Sequence, residues 1–181
     1  MPGRSRNILR ALTGGLLAGF AALTYGIFIE PRTIRTSRYA VTIPDLPADL
    51  EGLRIAFLSD FHIHGPGDNH RATTQAFATA ARFRPDLTLL GGDYFDHARW
   101  EGGENAFADL QAAGPVFGVL GNHDLFRGER HARAIARILE QSGVRVLRNQ
   151  AVPAPVRGGE IIIAGVDDPF TRKADLPATL S

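Results

Sequence analysis

The chain has 181 residues, no cysteine, and 44% hydrophobic and 22% charged residues. That balance fits one modest globular domain and excludes a disordered or fibrous chain, a disulfide framework and any thiolate metal site. The formal charge of +1 hides an asymmetry: six arginines against Glu30 give the first 38 residues +5, and the rest carries −4. A body this acidic predicts no nucleic-acid surface, because neutralising phosphates takes a basic stripe.

From Ala11 to Ile29 the chain runs 19 residues without a charge, between Arg10 and Glu30. That length just spans a bilayer core as a helix. No A-x-A cleavage site follows, and Gly14, Gly15 and Gly19 are tolerated in membrane helices, so residues 1–30 read as an uncleaved single-pass anchor in the cell membrane. Three arginines lie on each side; only the N-terminal amine tips the positive-inside rule, which places the body outside the cytoplasm. Ser5-Arg6-Asn7-Ile8-Leu9-Arg10 resembles a twin-arginine export signal with its first arginine replaced by serine.

Residues 31–50 form a linker, with an edge strand expected over Arg38 to Ile43 before Pro44, and residues 51–181 form the body. Short apolar runs at 53–58, 86–90, 116–120 and 161–166 predict buried strands, each ending in glycine, serine or aspartate. A helix is expected from Asp68 as N-cap to Pro85, with Ala72, Ala76, Ala80 and Phe83 on one face. A second is expected near Glu104 to Ala113, closed by Gly114, and a third over Glu129 to Gln141, with Ala132, Ile135, Ala136 and Leu139 inward. Arg130, Arg133 and Arg137 then form a solvated face. Strand and helix alternating in this order define an α/β fold of βαβαβ units around a mostly parallel sheet.

In such sheets ligands gather at the carboxyl ends of the strands. Those ends carry Ser59-Asp60-Phe61-His62, Gly91-Gly92-Asp93-Tyr94-Phe95-Asp96 and Gly121-Asn122-His123-Asp124. Successive clusters lie 33 and 29 residues apart, about the length of one βαβ unit, so each loop returns to the same rim. Asp60 and His62, two apart in an extended stretch, would share a face. Carboxylates, imidazole and an asparagine carbonyl suit Mn, Fe, Zn or Mg rather than a thiophilic ion.

The order Asp-x-His, Gly-Asp-x-x-Asp, Gly-Asn-His-Asp resembles the calcineurin-like metallophosphoesterases, from about Arg54 to Pro169. The resemblance implies two divalent ions: Asp60 and His62 on the first, Asp93 bridging, Asn122 on the second. It implies His123 as general acid with Asp124 orienting its imidazole, and Asp96 supporting the bridging loop. The anchor, the Ser-Asp-Phe-His loop and Gly165-Val166-Asp167-Asp168-Pro169 look most like the membrane-associated branch that includes UDP-2,3-diacylglucosamine pyrophosphatases. Its implied activity is hydrolysis of a phosphoester or pyrophosphate, with a lipid-linked substrate in view.

The family fold is a two-sheet sandwich whose later Gly-His and Gly-His-x-His motifs finish both metal sites; the last histidine here is His131. The second sheet is therefore expected to be incomplete, with an apolar sheet face or edge exposed. The reading is the front part of a larger enzyme, since the first ligands are intact. The alternative is a truncated, non-catalytic membrane-anchored relative acting as a binding or scaffold module; a one-metal hydrolase using Asp60, His62 and Asp93 stands behind both. His64, two beyond His62, reads first as a structural residue, with lining the site as the lesser alternative; His70, His97 and His131 read as surface residues, Asp167 and Asp168 as a strand end at the same rim, and Phe95 and Trp100 as packing.

Overall fold

The computed structural model describes residues 2–30, 33–63, 68–96, 107, 108, 110, 112 and 114–181. The chain divides into two units, Met1–Thr36 and Ser37–Ser181. The first is α1, Pro2–Thr24, continued by a π-helical turn over Tyr25–Ile29. The stretch Leu12–Ile29 is long and apolar enough to cross a membrane, and its side chains bury nothing, with Leu16 and Phe20 at 76% and 70% exposure.

The second unit is built on a parallel sheet of β1 (Ile55–Leu58), β2 (Leu87–Leu90), β3 (Val116–Gly118) and β4 (Val144–Val146), in that spatial order. Ile55 pairs with Leu87, Thr88 with Val116, and Val116 with Val144. Two crossovers contain α2 (Asp68–Phe83) and α4 (Glu129–Gln141). On α4 Ala132, Ile135 and Leu139 are fully buried, at the spacing the sequence shows. On α2 the buried pair is Thr73 and Phe77, one turn apart, and the alanines expected to lead that face flank it. The side chain of Asp68 and most of the helix expected over 104–113 lie outside the described residues.

One face of the sheet packs Leu58, Leu90, Val116 and Val144 against these helices and an aromatic cluster of Phe61, Phe77, Tyr94, Phe95 and Phe107. Phe61 lies 5.6 Å from Tyr94 and 5.4 Å from Phe107, in the stacked and edge-on arrangements that aromatic rings favour. The other face packs Leu87, Leu89 and Phe117 against a two-stranded antiparallel sheet, β5 (Gln150–Val156) and β6 (Gly159–Gly165). The strand expected at 161–166 thus pairs antiparallel with β5 instead of joining the parallel series. The cause is the two-residue turn Arg157-Gly158, with φ of +52° and +90°, which suits a tight hairpin. Alternation on β5 buries Val152, Ala154 and Val156 and turns Pro153 and Pro155 outward.

The hairpin covers this face only in part. Ile55 and Phe57, on the edge strand β1, remain 44% and 68% exposed, which is the uncovered apolar sheet face expected from the sequence. The edge strand expected over 38–43 does not form: this segment is irregular, pairs with no described strand, and leaves Tyr39 and Val41 exposed.

After β4 and β6 an ion cluster closes the fold. Arg148 donates from Nε and Nη2 to Asp167, at 2.7 Å for the shortest bond, and from Nη1 to Glu129 at 2.6 Å. Asp167 is 2% exposed, so its charge depends on that pairing, and the Arg148 hydrogen bond holds the Glu129 carboxyl below its usual range. Arg148→Ala strands a buried carboxylate and is expected to cost about 3 kcal/mol, read as a lowered urea midpoint. Glu129, with its depressed folded-state pKa, stabilises the fold above its unfolded value and loses that contribution as pH falls through the folded one. Glu129→Gln should therefore flatten the acid limb of the stability profile.

Candidate metal centre

The loops that follow β1, β2 and β3 meet at the carboxyl end of the sheet. Beyond β1 and β2 the two chains stay hydrogen-bonded: Asp60 N donates to Gly92 O, His62 N to Asp93 O and Ile63 N to Tyr94 O, at 2.9–3.1 Å. They do so in a bent conformation, because Asp60, His62 and Asp93 have φ of +60°, +45° and +56°. Non-glycine residues rarely adopt such values, and clusters of them mark sites where the surroundings impose the geometry. The expected extended stretch, with alternate side chains sharing a face, is therefore absent. Left-handed backbone brings Asp60 and His62 together instead, with His62 Nε2 3.9 Å from Asp60 Oδ1.

His62 Nε2 also lies 4.0 Å from Asp93 Oδ2. Two ligands of one ion, each about 2.1 Å from it, lie no more than about 4.2 Å apart, so Asp60, His62 and Asp93 fit a shared divalent cation. A second set, His62, Asp96 and His123, also gathers one ligand atom each within 4.8 Å. The His62 and His123 rings meet edge to face at 4.7 Å between centroids. Exposure is graded across the site, from 69% for the Asp60 side chain to 14% for Asp93, leaving one side open to a ligand.

The third loop folds into a short helix, α3, Asn122–Leu125. Asn122 opens it between Gly121 and His123, and both of those neighbours adjoin Asp93. The His123 backbone N–H donates to Asp93 Oδ1 at 3.0 Å. A Cβ on Gly121 would overlap the Asp93 carboxylate, and one on Gly92, at φ +98°, would overlap the Gly121 backbone. Only glycine allows the second and third loops to approach this closely.

Asp124 is fully buried, and its carboxylate accepts three backbone N–H groups: Asp93 at 2.9 Å, Gly121 at 2.9 Å and Tyr94 at 3.1 Å. Burial pushes its carboxyl up to about 7, against the pull of the Gly121 and Tyr94 N–H groups. Burial beside this acid also raises the Tyr94 phenol well above its ordinary value. Asp124 is thus placed differently from the expected partner of the His123 imidazole, since its oxygens are committed to the backbone of the two loops. The carboxylate beside the His123 ring is Asp96, with Oδ1 3.4 Å from Nδ1.

Asn69, on the first turn of α2, donates from Nδ2 to the His62 carbonyl at 2.8 Å. The sequence reading passed over it, although an asparagine at a helix start, seven residues beyond a candidate ligand histidine, was the available signal. Asp167 and Asp168 serve the fold: the first pairs with Arg148 and the second accepts the Thr171 N–H at 2.7 Å. Phe95 packs as expected, at 1% exposure, and His70 and His131 are part-buried. His64, His97 and Trp100 lie outside the described residues. Beside α3 an open apolar cleft of about 310 Å³ is lined by Leu125, Phe126, Phe170 and Lys173.

The family model for calcineurin-like phosphoesterases matches residues 53–166, more than half of the chain, which belongs to this family. Its chemistry is metal-dependent phosphoester hydrolysis. The chain is 30% identical over 129 residues to an uncharacterized metallophosphoesterase, YkoQ, of Bacillus subtilis, covering 68% of this chain and 46% of that one. It is 28% identical to the phosphodiesterase YaeI of Escherichia coli, over 88% of this chain and 60% of the relative. It is 31% identical to the UDP-2,3-diacylglucosamine pyrophosphatase LpxG of Chlamydia trachomatis, over 66% and 37%. The chain thus spans about a third to three fifths of the length of these curated relatives.

Replacing Asp124 by asparagine sets an NH2 group against backbone donors, so Asp124→Asn is expected to weaken Mn2+ binding by about 10–100-fold. Titration calorimetry measures this, with Asp168→Asn as the variant expected to leave affinity unchanged.

Proposed function

We propose that residues 51–181 form part of a metallophosphoesterase domain that hydrolyses a phosphoester or pyrophosphate bond with two divalent ions. Residues 1–30 anchor it in the cell membrane with the body outside the cytoplasm, and 31–50 link the two. The observation that carries the reading is the convergence of Asp60, His62, Asp93 and His123 on one open rim, with His62 3.9 and 4.0 Å from the Asp60 and Asp93 carboxylates and His123 in an adjoining set within 4.8 Å.

Asp60, His62 and Asp93 would hold the first ion, and Asp93 and Asn122 the second. When bound, the ions neutralise the phosphoryl oxygens and lower the pKa of a shared water, as two-metal hydrolases require. The chain's own residues do the rest. His123 faces the rim and donates a proton to the leaving oxygen. Asp96, against Nδ1, orients the ring. Asp124 acts one step further back, holding the Asp93 backbone where the bridging carboxylate must stand.

For the substrate we propose a lipid-linked phosphoester or pyrophosphate such as UDP-2,3-diacylglucosamine. The names of the Chlamydia relatives, the apolar helix and the cleft beside α3 support it. Phe126 follows Asn122 by four residues and His123 by three, the spacing of side chains on one helical face, and is 80% exposed. Its ring stands ready to cover an apolar group on a ligand held at the rim.

The native full-length protein should hydrolyse bis(p-nitrophenyl) phosphate when loaded with Mn2+, lose the activity to a chelator and regain it on metal return. Asp93→Ala and His123→Ala should each lower kcat by at least about 100-fold. Metal analysis should give two ions per chain; one ion with retained turnover would favour the hydrolase using Asp60, His62 and Asp93 alone. A metal-bound native protein that cleaves no phosphoester would leave the binding or scaffold role.

A further inference from the structure

At the opposite ends of the same strands, three arginines line an open cleft of about 400 Å³. Arg54 precedes β1, Arg84 follows α2, and Arg157 begins the β5–β6 turn. Asp86 is the one carboxylate on the lining. Its Oδ2 already accepts the Arg54 backbone N–H at 2.9 Å and lies 4.0 Å from Arg54 Nε. Arg157 spends one donor on the Glu51 carbonyl, at 2.7 Å. Among the described residues the Arg84 guanidinium has no carboxylate partner. Arg54 and Arg38 lie over the Phe83 ring, 5.6 and 6.0 Å from its centre, which brings a fourth cation to the same end.

The backbone here is set rather than free. Arg84 and Arg157 hold φ of +50° and +52°, and Pro85 and Pro115 stiffen the walls. A guanidinium presents its donors as a planar fork that matches phosphate oxygens two at a time, and several forks on a stiff frame lose little freedom on binding. Arg38, at this end, also lies close in sequence to the apolar helix. Only residues 31–37 separate Glu30 from Arg38, a length of at most about 25 Å when fully extended. Where a helix leaves a bilayer, lipid headgroup phosphates lie within such a distance.

We propose that Arg54, Arg84 and Arg157 form a binding site for a phosphate-type anion, distinct from the metal centre, filled by an anionic lipid headgroup or by a soluble phosphate. The site does not depend on the hydrolase reading.

Arginine modification by phenylglyoxal, mapped by mass spectrometry on the full chain in nanodiscs, tests it. Arg54, Arg84 and Arg157 should react about tenfold more slowly under protection, while Arg130 and Arg137 on α4 keep their rates. Protection in discs containing phosphatidylglycerol but not in pure phosphatidylcholine identifies the headgroup. Protection by inorganic phosphate in pure phosphatidylcholine discs identifies a soluble anion. Arg84→Gln combined with Arg157→Gln, both exposed positions, should abolish protection of Arg54 in either case. Equal rates in all conditions, or uniform slowing that includes Arg130 and Arg137, would overturn the proposal.

Discussion

The buried Asp124 carboxylate is the interaction on which the site's geometry rests. It gathers the N–H groups of Asp93, Tyr94 and Gly121, and Asp93 returns the contact by accepting the His123 N–H. The two loops thus hold each other through reciprocal carboxylate bonds, with glycines at 92 and 121 allowing the close approach. Left-handed backbone at Asp60, His62 and Asp93 costs on the order of 1–3 kcal/mol each, and persists because these bonds and the aromatic cluster below leave no relaxed alternative. Charge-assisted hydrogen bonds to backbone donors are strong enough for that role.

Much of this was readable in the sequence, for reasons that differ between elements. The apolar runs ending in Asp-x-His, Gly-Asp and Gly-Asn-His gave β1, β2, β3 and the rim, because burial writes a local pattern and the spacing of βαβ units is narrow, whereas β4, only three residues long, was not among the expected strands. The helix over 129–141 carried its inward positions openly. The strand β5 was missed because Pro153 and Pro155 break the usual strand composition, although both fall on its outward face. The segment 38–43 alternates like a strand, yet a strand needs a neighbour, and pairing is not written locally. In the site, residue types and order were legible, whereas the contacts of Asp96 with the His123 ring and of Asp124 with the loop backbone were not. Which carboxylate meets an imidazole depends on a helix only four residues long and on backbone angles that no composition reveals.

A parallel sheet sends all its strand starts to one end and all its strand finishes to the other. Here one end gathers carboxylates and imidazoles, the groups that hold cations, and the other gathers guanidiniums, which meet anions. The body is acidic as a whole, at −4, but its two kinds of charge are separated along the strands.

The parallel ladder has a further consequence for how the protein reaches this state. Ile55 meets Leu87 and Thr88 meets Val116, so each pairing must close a loop of about thirty residues, an entropic toll that slows folding relative to local contacts. The β5–β6 hairpin closes across two residues and can form on the microsecond scale of isolated hairpins. The loops that present Asp60, Asp93 and His123 come together only when the ladder is complete. The reciprocal bonds between the second and third loops therefore form late: they restrain unfolding far more than they hasten folding, and protein lifetime, rather than folding yield, is where they register.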